Sequence, residues 1–227
     1  MEVHPDVYVL TSDGLVPGRG HLDVVRAAIE GGATMLQLRA PDLPDPVLQV
    51  TARAFAELCR TAGIPGIVND RIDVAISSGA TGVHLGQEDG PHGARRMLGS
   101  ERILGISVSD VAQAREAEDF DADYLGVVVW STGTKPQAKP VGVAGLRAIA
   151  AATKLPVVGI GGIDATNAGE VLGAGAAGIA VVSSVGAAYD PVAATRSLVR
   201  VVAARSGGGA SRPDGAGPAP SGEQART

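Results

Sequence analysis

A chain of 227 residues with 45% hydrophobic side chains, 3% aromatics and 32 glycines suits one α/β domain whose core is aliphatic parallel strand. A formal net charge of −5, without clustered Lys and Arg, excludes a nucleic-acid-binding face, and no apolar run is long enough to span a membrane. The single cysteine, Cys59, excludes an internal disulfide.

The opening MEVHPDVYVLTSD lacks a basic region followed by an apolar segment, so no signal peptide is read and a cytoplasmic location is expected. Residues 7–11 (VYVLT) predict a first strand and 21–30 a helix ending at Gly31-Gly32. A second strand over 35–39 (MLQLR) runs into the loop PDLPDP, followed by a helix over 47–62 that Gly63 closes. Cys59 stands at helical spacing from Phe55 in that helix and reads as a buried residue, not a nucleophile. In 67–89, IVNDRIDVAISSGATGVHLGQED, two short apolar runs flank a helical segment, which makes a βαβ unit of parallel strands three and four.

A helix over about 92–98 precedes ILGISV, and Asp110 starts a helix to residue 119. The sixth strand, 124–130 (YLGVVVW), leads to the polar loop STGTKPQAKP. A helix over 143–153, a seventh strand over 156–161, a helix over 164–172 capped by Asp164, an eighth strand over 178–183 and a helix over 190–204 opened by Asp190 complete the pattern. Eight strands, each followed by a helix, predict a (β/α)8 TIM barrel over 1–205. A doubly wound sheet is the alternative, but TSDGLVPGRG after the first strand lacks its Gly-rich phosphate fingerprint. Residues 206–227 are Gly, Pro, Ser and Ala with almost no large apolar side chain, and a disordered, dispensable tail is expected.

In a barrel of this kind the active site sits at the C-terminal ends of the strands. Polar residues collect there: Gln37 and Arg39, Asn69 and Asp70, Gln87 to Asp89, Ser107 and Ser109, Thr132 to Lys135, Gly161 and Gly162, Ser183 and Ser184. Each has a bland reading alone, as a helix cap or a solvated loop residue, but almost every strand contributes. Asp70 and Asp89 end neighbouring strands, and carboxylates about 5 Å apart repel by about 3 kcal/mol at an effective dielectric near 20. A hard divalent cation that also takes substrate phosphate oxygens would offset that repulsion.

Gly161-Gly162 after the seventh strand, with VVSSVG after the eighth, occupies the usual phosphate position of the fold. Lys135 in its Thr-Gly-Thr-Lys-Pro loop reads as a point charge for phosphate, in preference to a Schiff-base lysine. His84 reads as an inward hydrogen-bonding residue, and His4, His21 and His92 as surface residues.

The motifs QLR, VND, GVHLGQED, GIS, TGTK, PVVGIGGI with Asn167-Ala168, and GIAVVSS follow one another as they do in thiamine-phosphate synthases. From Val7 to about Ala204 the chain resembles that family. The resemblance implies coupling of hydroxymethylpyrimidine diphosphate to a thiazole phosphate with release of diphosphate, on small-molecule substrates and with Mg2+ as cofactor. By position it implies Gln37, Arg39, Asn69, Ser107 and Lys135 for the pyrimidine diphosphate, with Arg39, Lys135 and Ser107 closest to the chemistry. It implies Asp70 and Asp89 for Mg2+, and Thr132 to Thr134, Gly161, Val182 and Ser183 for the thiazole phosphate. The family usually has a lysine where this chain has Pro41, and the loop after the sixth strand reads one residue shorter, with Val128-Val129. A thiazole tautomerase or a non-catalytic thiazole-phosphate-binding barrel is the alternative, and retention of both aspartates favours the synthase. No nucleic-acid or membrane partner is expected, and a homo-oligomer is compatible with the sequence.

Overall fold

The aliphatic runs become strands β1 (Val7–Leu10), β2 (Met35–Leu38), β3 (Gly66–Asn69), β4 (Gly82–Leu85), β5 (Ile103–Val108), β6 (Tyr124–Val128), β7 (Val157–Ile160) and β8 (Gly178–Val181). The computed structural model describes residues 3–131, 133 and 139–207. Each strand pairs in parallel with the next, and β8 closes on β1 with Val7 opposite Ile179, so the sheet is a closed eight-stranded barrel. Closure leaves no sheet edge, which is how such short strands are all fully paired.

Outside the barrel lie α1 (His21–Gly31), α2 (Asp45–Ala62), α3 (Ile72–Ser78), α4 (Ala94–Leu98), α5 (Val111–Asp119), α6 (Gly142–Ala152), α7 (Ala168–Gly173), α8 (Ser183–Gly186) and α9 (Pro191–Gly207). A single 3-10 turn, Gln87–Asp89, stands between β4 and α4. Gly63, at φ 70°, ends α2 by donating its N–H to the carbonyls of Arg60 and Cys59, the left-handed stop its position predicts. Asp110 and Asp190 start α5 and α9 by accepting the N–H of Gln113 at 2.8 Å and of Ala193 at 2.9 Å. No helix among the described residues is long and apolar enough to cross a membrane.

Alternation along the strands separates two cores. One face packs against the helices through Leu36, Leu38, Val83, Leu104 and Ile106, where Phe55 and Cys59 of α2 are buried. Burial of a side chain such as Phe55 stabilises the fold by about 1.5–3 kcal/mol, and it pushes the Cys59 thiol up to about 12. The other face fills the barrel with Tyr8, Leu10, Met35, Ile67, Ile103 and Tyr124. Two residues further along the same strands, the inward positions turn polar: Met35 is followed by Gln37 and Ile67 by Asn69. That change of polarity along a single face places the site at the C-terminal mouth.

Three expectations need correction. Strands β1, β2, β6, β7 and β8 end one or two residues early, so Thr11, Arg39, Trp130, Gly161 and Ser183 lie beyond the ladder on the rim. Asp164 does not cap α7, which begins at Ala168. Its Oδ1 accepts the Thr166 N–H at 2.7 Å and the Thr166 hydroxyl at 2.5 Å, closing a local turn. His21 is not a surface residue: its ring is 10% exposed, with Nδ1 2.9 Å from Thr11 Oγ1 and Nε2 2.8 Å from Asp13 Oδ1. Residues 208–227, which include most of the tail expected to be disordered, lie outside the described residues.

Candidate active site

A cavity of about 320 Å³ opens at the C-terminal mouth of the barrel. Seven residues that the family resemblance assigns to substrate line it together: Gln37, Arg39, Asn69, Ser107, Gly161, Val182 and Ser183, with His84, Gly162 and Ser184 beside them. Thr132, Thr134 and Lys135 lie outside the described residues.

Gln37 projects inward from β2 and is 1% exposed. Its Nε2 donates to Tyr8 Oη at 2.6 Å, while its Oε1 is buried with no partner among the described residues. A buried amide oxygen without a donor costs about 1–3 kcal/mol, so it is a natural receptor for a ligand N–H or O–H. Arg39 sits one residue past β2, and its backbone N–H donates to Thr11 Oγ1 at 3.1 Å. No side-chain partner of the Arg39 guanidinium is found among the described residues, and Arg39 lines the cavity, where its charge suits an anion.

Ser107, on β5, is half-buried, with Oγ 2.9 Å from His84 Nε2. The other imidazole nitrogen is 2.9 Å from Tyr124 Oη, which makes His84 the inward hydrogen-bonding residue expected of it. Burial holds the Tyr8 and Tyr124 phenols well above their ordinary values, so both stay neutral. Gln87 donates through Nε2 to the Ser107 carbonyl at 2.7 Å and ties the turn after β4 to β5.

Asn69 ends β3, and its side-chain amide donates to the Asp70 carboxylate. Asp70 adopts a left-handed φ of 62°, and its backbone N–H bonds the His84 carbonyl at 2.8 Å, fastening the turn to β4. Asp70 lines a second, smaller cavity of about 180 Å³ together with Pro41 and Arg71. Arg71 is held between Asp45 at 2.7 Å and Asp73 at 2.8 Å. Asp89 is exposed on the 3-10 turn, where Oδ2 accepts the Gly86 N–H at 2.7 Å. Among the described residues no group of three His, Cys, Asp or Glu side chains is gathered in the manner of an all-protein metal cage.

On the opposite arc the backbone does the work. Gly161 and Gly162 have φ of 98° and 64°, and a Cβ at Gly161 would lie 2.5 Å from the Trp130 carbonyl oxygen. Asn167 holds this turn from outside: Nδ2 donates to the Gly162 carbonyl at 2.9 Å, and Oδ1 accepts the Asp164 N–H at 2.9 Å. Beside it, Ser184 Oγ is buried without a partner among the described residues, next to Ser183 on the cavity wall.

The family model for thiamine monophosphate synthase matches residues 7–185. The thiamine-phosphate synthase of Moorella thermoacetica is 50% identical over 200 residues, which cover 87% of this chain and 95% of that protein. The chain belongs to the thiamine monophosphate synthase family. The thiamine-phosphate synthase of a Roseiflexus species is 48% identical over 200 residues, 87% of this chain and 85% of that one. A solved structure of thiamine phosphate pyrophosphorylase from Pyrococcus furiosus superposes with a TM-score of 0.81 at 38% identity, covering 88% of this chain and 96% of that one.

Tyr8 and Tyr124 also line this cavity, and the reading of the sequence did not single them out. The chain has only 3 tyrosines, and two occupy inward positions beneath Gln37 and Ser107. Inward parity on adjacent strands was the available signal.

Proposed function

We propose that the chain is a thiamine-phosphate synthase that joins hydroxymethylpyrimidine diphosphate to a thiazole phosphate and releases diphosphate. The observation that carries the reading is the convergence of Gln37, Arg39, Asn69, Ser107, Gly161 and Ser183 on one cavity, in a chain of this family.

Breaking the carbon–oxygen bond sends both electrons to the departing diphosphate, and the electron-rich aminopyrimidine carries the resulting cation. The thiazole nitrogen then forms the new carbon–nitrogen bond with its own lone pair. That step needs no general base. Gln37 and Ser107 would orient the pyrimidine, and Arg39 would take up negative charge as it grows on the leaving group. The Gly161-Gly162 turn lines the cavity with Ser183, where its backbone would meet a phosphate.

Asp70 and Asp89 suit Mg2+ chemically, since both offer hard carboxylate oxygens, Asp70 just past β3 and Asp89 from the turn after its neighbour β4, and a two-ligand site leaves room for water and diphosphate oxygens. When bound there, the ion would neutralise charge on the diphosphate. The role of Lys135 as a further diphosphate contact rests on the sequence alone.

The decisive experiment incubates purified protein with both substrates and Mg2+ and follows thiamine phosphate and diphosphate. Both products should accumulate in step and vanish when either substrate is omitted. Diphosphate release without the thiazole substrate at an undiminished rate would instead make the protein a phosphohydrolase.

A further inference from the structure

Beneath the cavity five side chains from five strands form one continuous hydrogen-bonded line. Gln37 Nε2 donates to Tyr8 Oη at 2.6 Å, and Tyr8 Oη lies 3.0 Å from Tyr124 Oη. Tyr124 Oη is 2.9 Å from His84 Nδ1, and His84 Nε2 is 2.9 Å from Ser107 Oγ. We propose that Tyr8, Tyr124 and His84 are positioning residues, a buried one-way relay that sets Gln37 as acceptor and Ser107 as donor and so selects an amino- over an oxo-pyrimidine. The proposal rests on reading this cavity as a synthase site.

The direction follows from counting protons. With Gln37 donating, the Tyr8 hydroxyl proton has the Tyr124 oxygen as its acceptor, and the Tyr124 proton has His84 Nδ1. The imidazole is then protonated at Nε2 and donates to Ser107 Oγ, so the serine's own proton turns to the cavity. Reversing the Tyr8–Tyr124 bond alone would leave the Tyr8 proton with no acceptor among the described residues, on a side chain only 2% exposed. The two ends are therefore coupled although they share no contact. Gln37 must present Oε1, the atom that has no partner among the described residues, and Ser107 must present O–H.

The neighbouring strands make room for this line. A Cβ at Gly105 would lie 2.2 Å from Tyr124 Cζ, and one at Gly126 would lie 2.9 Å from His84 Cε1. The Tyr124 and His84 rings also lie against each other, with centroids 5.4 Å apart. Both phenols are buried and neutral, so the relay transmits dipole orientation and no net charge. An aminopyrimidine carries an amine N–H donor, which the Gln37 oxygen can accept, and ring-nitrogen acceptors, to one of which Ser107 can donate. An oxo-pyrimidine, with a carbonyl beside a ring N–H, presents the opposite pattern. Sites built from buried polar groups reject such mismatches because their own groups are left unpaired.

Two measurements test the relay. Side-chain 1H–15N spectra of the unmutated, ligand-free protein should show His84 as the Nε2–H tautomer, and an Nδ1–H tautomer overturns the direction. Tyr124→Phe, with Tyr8→Phe as a second variant should the first fail to fold, removes one hydroxyl and keeps the ring. We expect its KM for the pyrimidine diphosphate to rise about tenfold, its KM for the thiazole phosphate to move less than about twofold, and its amino-over-oxo preference to fall about tenfold. An equal rise for both substrates, or an unchanged preference, overturns the proposal and leaves the tyrosines as packing. Should the unmutated protein form no thiamine phosphate, the functional reading fails, and the tautomer still decides the relay.

Discussion

The two arcs of the barrel mouth bind by different means. From β2 to β5 the site is made of side chains, Gln37, Asn69, His84 and Ser107, seated on inward positions of rigid strands. From β7 to β8 it is made of backbone, the left-handed Gly161-Gly162 turn held by Asn167, with Ser183 and Ser184 at the next strand end. A side-chain arc can be altered one atom at a time without moving the chain. A backbone arc responds to the addition of any Cβ. The first should therefore show graded, substrate-specific losses and the second an abrupt one.

The largest expected effect lies on the rim of the side-chain arc. Asp70→Asn and Asp89→Asn keep an oxygen acceptor, and asparagine tolerates the left-handed φ of 62° at residue 70. Each variant should fold with an unchanged melting temperature yet lose turnover by roughly a hundredfold or more, because several kcal/mol of charge stabilisation would go with the ion. A strong chelator should silence the unmutated protein in the same way. Full activity under chelation would refute the metal role and leave Asp89 as the cap of its own turn, bonded to Gly86.

Next comes Gly161→Val, which probes the backbone arc. The left-handed conformation alone costs a residue with a Cβ about 1–2 kcal/mol. A contact of 2.5 Å with the Trp130 carbonyl oxygen adds to that, since backbone cannot swing aside as a side-chain tip can. Thiazole-phosphate binding should weaken roughly tenfold or more while pyrimidine-diphosphate binding changes by less than about threefold. Calorimetric titration with each ligand separately distinguishes the two. Equal weakening would show that the arcs are not independent.

This division also explains what the sequence made legible. The barrel was readable because each strand is a short aliphatic run, and the change from Met35 to Gln37 or from Ile67 to Asn69 on one face marks the mouth directly. Strand ends were overestimated because Arg39 and Thr11 continue as polar rim residues that bond each other across the strand ends. His21 was misplaced because its partners, Thr11 and Asp13, lie across the loop that precedes its helix. The capping role assigned to Asp164 was lost to competition, since Thr166 takes its carboxylate while Asn167 takes its N–H. The Tyr8–Tyr124 contact joins residues 116 apart, and no local pattern announces it. Periodicity reports which face a residue is on, whereas closure of the barrel decides whom it meets there.

The smallest expected effect sharpens the contrast from its polar end. Pro41 is exposed on the turn after β2 and lines the smaller cavity with Asp70 and Arg71, at the place where the family usually carries a lysine. Pro41→Lys would bring a cation near the pyrimidine-diphosphate end of the mouth, but in solvent, where an ion pair contributes about 0–1 kcal/mol. Arg71 already stands nearby, and its two aspartate partners, Asp45 and Asp73, offset most of its charge. The lysine should therefore tighten pyrimidine-diphosphate binding by only about two- to fivefold and leave thiazole-phosphate binding unchanged. Because the new charge is exposed, the gain should shrink as salt rises from about 0.05 to 0.5 M, where the screening length falls well below 10 Å. Pro41→Ala is the control, since it restores the amide N–H and frees φ without adding charge. If Pro41→Ala gives the same gain, or if the gain with lysine persists in high salt, stiffness of the turn and not its missing charge limits the binding of the diphosphate.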